Sequence, residues 1–190
     1  MFTAYIDESA RRRAREGAYV YTLAAVVVPN ESIEKLQQAM IALRYHKSLR
    51  VHWREERKER LPEIVRTVAG LPWTGVATVC LHGPEMKSER ARRLCIMRLL
   101  PELSDLGVDR IVFESRQEPR DHEDRGLLVG LRKNRGLFRT DIEVDWKPAL
   151  SDSALWAADV VAGALSWWLD DKGEYWRVLE DQVHLIEIDP

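Results

Sequence analysis

The sequence predicts an α/β domain with a mixed sheet, opened by an antiparallel hairpin and flanked by helices. Three observations point to it. Two runs of strand formers, residues 2–6 and 18–28, flank a polar arginine-rich loop, which is the pattern of a hairpin. Downstream, segments with apolar residues at helical spacing alternate with short β-branched runs, the order that lays helices on a sheet. The chain has 190 residues, 45% of them hydrophobic, enough to bury one substantial core and to offset the entropy of ordering it.

Each element has its own signal. Asn30 or Ser32 can cap a helix running to about Tyr45, with Ile33, Leu36, Gln37, Met40 and Leu43 along one stripe. Residues 44–60 are dense in charge, and from Glu55 the pattern turns helical, with Leu61, Ile64, Val65 and Val68 on one face. Gly70 and Pro72 stop that helix. Residues 76–81 read as a strand, 89–106 as a helix that Pro101 can kink and Gly107 ends, and 109–115 as a second strand finishing on an acid. Helix 121–134, strand 141–146 and helix 151–169 follow. Residues 175–188 fit either a helix or an edge strand. A single domain over 1–190 is expected, with 170–190 as an extension packed on it.

Composition excludes several classes. Cys80 and Cys95 are the only cysteines, too few for a disulfide scaffold or a cysteine zinc site, and they read as reduced thiols. Asp7 and Glu8 precede any basic residue, the reverse of a secretory leader, and the apolar run 153–169 is interrupted by Asp159. A soluble, cytoplasmic protein without membrane contact is therefore expected. No phosphate-binding glycine loop, dinucleotide fingerprint, Gly-x-Ser-x-Gly elbow or His-Glu-x-x-His is present. The formal net charge of -2 conceals a division. Residues 1–139 hold 26 basic against 19 acidic side chains, and the last 51 hold 3 against 12. Opposite-sign docking within the chain, a phosphate-binding face, or ordinary solvated helices would each produce it.

Three acids stand where a carboxylate is costly without a partner or a task. Asp7 follows Tyr5-Ile6, Glu114 follows Ile111-Val112-Phe113, and Asp159 is the only charge between Asp152 and Asp170. On a helix, Asp159 shares its face with Leu155, Ala162, Gly163 and Ser166, small enough to approach a sheet closely. Taken singly, each acid can be a cap, an ion-pair partner or a solvated strand end. Converging, the three would make an oxygen-rich site for Mg²⁺ or Mn²⁺.

The segments Tyr5-Ile6-Asp7-Glu8-Ser9, Tyr19-Val20-Tyr21-Thr22-Leu23-Ala24-Ala25-Val26-Val27-Val28, His52-Trp53 and Leu155-Trp156-Ala157-Ala158-Asp159-Val160-Val161-Ala162-Gly163-Ala164 together resemble the domain-of-unknown-function family 3800. The resemblance implies a ribonuclease H-like fold and a divalent-metal-dependent nuclease or related phosphoryl-transfer enzyme, or an inactive binding module of a phage-defence or mobile-element system. By position it makes Asp7 the leading acid, Glu114 the acid of the fourth strand and Asp159 the late acid of the final helix, all three as metal ligands. It makes Glu8 a further ligand or the holder of a basic neighbour. The acid usual on the helix after the hairpin has no clear counterpart, with Glu55, Glu56 and His52 as candidates.

His52 beside the carboxylates would serve as a general acid or a ligand, with Trp53 packing the site. Arg11, Arg12 and Arg13 in the hairpin loop, and Arg116 after Glu114, would grip phosphate, and Asp121 would cap a helix or add a ligand. Nucleic-acid contact of this kind is sequence-independent. Five of the seven tryptophans fall in the last 45 residues. An exposed member of Trp167-Trp168 would mark a homodimer interface on the C-terminal helix.

Overall fold

The computed structural model describes residues 1–12, 17–133 and 138–189. Strand β1 (Phe2–Arg12) pairs antiparallel with β2 (Tyr19–Pro29), which pairs antiparallel with β3 (Thr74–His82). On the other side β1 pairs parallel with β4 (Val108–Glu114), and β4 parallel with β5 (Glu143–Lys147). A last strand, β6 (Val183–Ile188), pairs parallel with β3, so the six-stranded order is β5-β4-β1-β2-β3-β6. The arrangement is α/β with a mixed sheet and is consistent with a ribonuclease H-like fold. The ambiguous tail resolves into two 3-10 turns followed by this edge strand.

Both faces of the sheet are covered, which explains why β2 reads as an unbroken apolar run rather than an alternation. Val20, Ala24, Val26 and Val28 face one core, and Tyr21, Leu23, Ala25 and Val27 the other. The first core lies under α1 (Ile33–Ala42), α2 (Leu61–Ala69) and α5 (Leu155–Trp168); the second lies under α3 (Ser88–Asp105) and α4 (Glu118–Lys133). The helix α5 is buried almost all round, because it lies across β1 and β2 and is itself covered by Trp53 and the turns around Trp176. Gly107 ends α3 with φ 73°, a left-handed position that glycine occupies without penalty.

Several boundaries differ from the expected ones; α1 ends at Ala42 and α5 starts at Leu155 rather than at 151. The strand β1 does not stop at Ile6 but runs to Arg12, held by its β2 ladder. Helix α2 starts at Leu61 rather than Glu55; residues 53–60 form turns in which Arg60 is held by Glu56 and by the Leu43 carbonyl. Helix α4 starts at Glu118, so Asp121 lies inside it rather than capping it. Trp168 is 36% exposed and stacks on Trp176, while Trp167 packs edge-on against Trp53. Among the described residues no helix is long and apolar enough to cross a membrane.

Candidate active site

A cleft of about 350 Å³ opens where β4 ends and β1 continues. Pairing between the two strands stops at Ile6 with Phe113, leaving residues 7–12 of β1 without β4 beside them. That half-strand, the end of β4 at Glu114 with Ser115 and Arg116 after it, the loop at 50–54 and the flank of α5 are its walls.

Asp7, Glu114 and Asp159 meet in this cleft. Strand alternation explains the first two, since Tyr5 and Val112, two residues before each, lie in the core beneath α5. The Asp7 carboxyl adjoins that of Asp159, and the main-chain N–H of Glu8 donates to Asp7 Oδ1 at 2.7 Å. Asp159 accepts the Trp53 main-chain N–H at 2.6 Å and lies 3.3 Å from His52 Nδ1. Glu114 is 3.7 Å from Arg50.

Burial, then the charges of Asp159 and Glu114, hold the Asp7 carboxyl well above the usual carboxylate range. Burial and the Asp159 charge also raise Glu114, against the pull of Arg50 and His52. The hydrogen bond to Asp159 raises the His52 imidazole, outweighing its burial. Burial and the neighbouring carboxylates together oppose the ionisation of Asp7 and Glu114.

The donor chemistry, three carboxylates with a histidine adjoining, is that of a site for a hard divalent cation. The spacing is less complete. Among the described residues no three His, Cys, Asp or Glu side chains stand at metal-ligand distances. Asp7 and Asp159 are together, while Glu114 leans on Arg50.

Other expected site residues fall elsewhere. Glu8 neighbours Asp7 on a strand and therefore points to the opposite face, where Arg92 and the Tyr21 hydroxyl hold it, the latter at 2.5 Å. Arg92 comes from α3, which follows β3. It is 2% exposed and also binds Asp124 at 2.7 Å. Glu55 lies outside the cleft lining, 3.8 Å from His52 Nε2, and Glu56 is paired with Arg60.

Arg116 reaches the cleft wall but is bound to Glu89 at 2.8 Å and to Asp124 at 3.4 Å. Asp121 accepts from the Arg116 N–H and the Ser115 hydroxyl, so it shapes the turn after β4. Arg11 lines the cleft and pairs with Asp170 at 3.0 Å; Arg12 is exposed and outside the lining; Arg13 lies outside the described residues. Asp145 pairs with Arg110, and Asp152 with Lys147 and Gln37, away from the three acids.

Several site residues carried no local signal. Arg50 and Arg54 look like any surface arginine in a charged stretch, and only folding brings them to the acids. Ser9 and Ser166, joined at 3.0 Å across 157 residues, are likewise a tertiary pairing. Gly163 has the clearest structural reason: a Cβ there would lie 2.2 Å from the Trp53 indole.

No family model matches the chain, and no curated protein does.

Proposed function

We propose that the chain is a divalent-metal-dependent enzyme that cleaves nucleic-acid phosphodiesters, related to the domain-of-unknown-function family 3800 and working in the cytoplasm. The observation that carries the reading is the convergence of Asp7, Glu114 and Asp159 in a cleft bordered by Arg50, His52 and Arg54. The buried free thiols of Cys80 and Cys95 agree with a reducing compartment.

Asp7 and Asp159 would hold Mg²⁺ or Mn²⁺, with Glu114 as the third carboxylate. Such an ion activates water and neutralises charge on the phosphoryl oxygens. The protein's own groups complete the chemistry. His52 is held by Asp159 at Nδ1, which leaves Nε2, on the side of Glu55, as the nitrogen that would protonate a leaving oxygen. Arg50 and Arg54 bring positive charge to a phosphate backbone without reading bases.

The test is cleavage of labelled DNA and RNA with Mn²⁺, Mg²⁺ or EDTA. Activity should require the ion, and Asp7→Asn should lower it by more than the ~10–100-fold typical of losing a supporting residue. Because a general acid must be protonated, the wild-type rate should fall as pH rises through a His52 pKa displaced above 6.5, and His52→Gln should remove that limb. Full activity in Asp7→Asn overturns the assignment.

The incomplete ligand spacing favours one other reading, a ribonuclease H-like module that binds a protein or nucleic-acid partner without catalysis. Ion-independent binding of nucleic acid with no cleavage in the same assay would establish it.

A further inference from the structure

The strand β5 forms one edge of the sheet. It pairs with β4 alone, so one side of its main chain has no ladder. Which groups lie on that side follows from a single bond: the Ser115 N–H donates to the Lys147 carbonyl at 2.9 Å, so Lys147 turns its main-chain groups toward β4. Alternation turns those of Glu143 and Asp145 the same way and those of Val144 and Trp146 outward. Among the described residues, no main-chain partner meets the outward N–H and C=O groups of Val144 and Trp146. An edge of this kind is a template for another strand.

The residues of β5 suit a copy of themselves. In an antiparallel pair about a two-fold axis through Asp145, Val144 lies opposite Trp146 of the second copy, and the outward groups of both exchange hydrogen bonds. The same register sets Glu143 opposite Lys147 of the second copy, and Lys147 opposite its Glu143, two pairs of opposite charge. Glu143 is exposed, and Lys147, whose ammonium binds Asp152 at 2.9 Å, keeps 35% of its side chain in solvent. The two Asp145 side chains meet at the axis, each already paired with its own Arg110 at 2.5 Å. Neighbouring registers are poorer. One sets Val144 against Pro148, which has no N–H to give, and the other sets Trp146 against Ile142, whose carbonyl already accepts from Arg132 at 2.6 Å.

The helical layer agrees. A groove of about 360 Å³ between α4 and β5 has Leu128, Val129, Val144 and Trp146 in its lining, and Val129 is exposed there. A two-fold axis normal to the sheet brings the grooves of two copies side by side on one face, so that each covers apolar surface of the other.

We infer that the chain forms a homodimer in which β5 pairs antiparallel with β5 of a second copy about Asp145, making one sheet continuous across both. This face is distinct from the end of α5, where Trp168 is stacked on Trp176.

Sedimentation of the wild-type chain over a range of concentrations should show a monomer-dimer equilibrium, and disulfide trapping reads the register. Across the axis the two Asp145 form a non-hydrogen-bonded pair with Cα atoms about 4.5 Å apart, within reach of a disulfide, whereas Glu143 and its equivalent are more than about 13 Å apart. Under mild oxidation Asp145→Cys should therefore give at least ~10-fold more covalent dimer than Glu143→Cys. The native Cys80 and Cys95 are buried and do not compete. Equal trapping by the two variants, or none, overturns the inference. So does a dimer that is lost in Trp168→Ala but survives Glu143→Lys, which sets like charges opposite each other. A wild-type chain that stays monomeric overturns it as well, and leaves the open edge to an extended segment of another protein.

Discussion

Asp7 is the residue on which the site's electrostatics turn. Its protonated form is favoured in the folded chain, because burial and two neighbouring carboxylates oppose its ionisation. A carboxyl raised above its ordinary value of 3.8 supports the fold fully below that pH and loses its contribution as pH rises through the folded value. Without a divalent ion, the protein should therefore melt lower at pH 8 than at pH 5.5. His52, raised in the folded state, contributes in the same direction. Asp7→Asn should melt a few degrees above wild type at pH 8 in EDTA, the scale on which about 1 kcal/mol moves a chain of this size. Thermal melts at the two pH values, with EDTA and with Mn²⁺, check this. A variant that melts lower than wild type at pH 8 would show that Asp7 is a stabilising ion-pair partner instead.

The three acids were legible because a carboxylate at the end of an apolar strand, or alone in an apolar helix, is conspicuous. Arg50 was not. Its value lies in a 3.7 Å approach to Glu114 across 64 positions of sequence, which nothing in residues 44–60 announces. Glu8 was legible only in part. Two consecutive residues on a strand must face opposite sides. With β1 read as ending at Ile6, that rule had no strand to act on.

At the scale of elements, the site depends on how the 50–54 loop seats on α5. The Trp53 indole lies against Gly163, and the same residue's main-chain N–H reaches Asp159 one helical turn earlier. One close approach therefore fixes both the packing of the loop and the hydrogen bond that orients the acid. In Gly163→Ala the new methyl would fall 2.2 to 2.6 Å from three indole atoms, so the indole must move. Alanine in a helix interior gains up to about 1 kcal/mol over glycine, but overpacking costs about 1–3 kcal/mol. Net destabilisation of about 1–2 kcal/mol is expected, with altered near-UV circular dichroism from Trp53 and a lowered cleavage rate. Denaturant titration measures the first, and an unchanged or raised midpoint would mean that the indole has room to spare.

The element boundaries missed in the sequence share a cause. Residues 53–60, a charged run leading into the apolar stripe of α2, form turns rather than helix, because Trp53 and His52 are pulled onto α5 while Arg60 ties the turn to Leu43. Local periodicity does not contain those long-range contacts. Beneath the opposite face, the buried arrangement of Glu8, Arg92, Asp124 and Arg116 joins β1, α3, α4 and the turn after β4. It supports the sheet edge from which Asp7 projects.

For the whole molecule, the division of charge between a basic body and an acidic C-terminal segment is partly resolved inside the fold. Arg110 meets Asp145, Lys147 meets Asp152 within the acidic segment, and Arg11 meets Asp170. Two of these three pairs cross the boundary, so part of the basic excess is already neutralised and is not presented to a polyanion. At the cleft, Arg116 is likewise occupied by Glu89 and Asp124. Arg50 and Arg54 are the cleft arginines whose described contacts leave them best placed for phosphate: Arg50 faces only carboxylates at 3.7 to 3.9 Å, and Arg54 only a carbonyl. Affinity for single-stranded nucleic acid falls with log salt at a slope of about −0.7 per phosphate neutralised, so two such contacts give about −1.4. Binding of a fluorescent single strand by Asp7→Asn, followed by anisotropy from low to moderate salt, should give a slope of that size. A slope steeper than about −3 would mean four or more neutralised phosphates on the same scale. That would require an extended basic track over the surface, beyond the two arginines of the cleft.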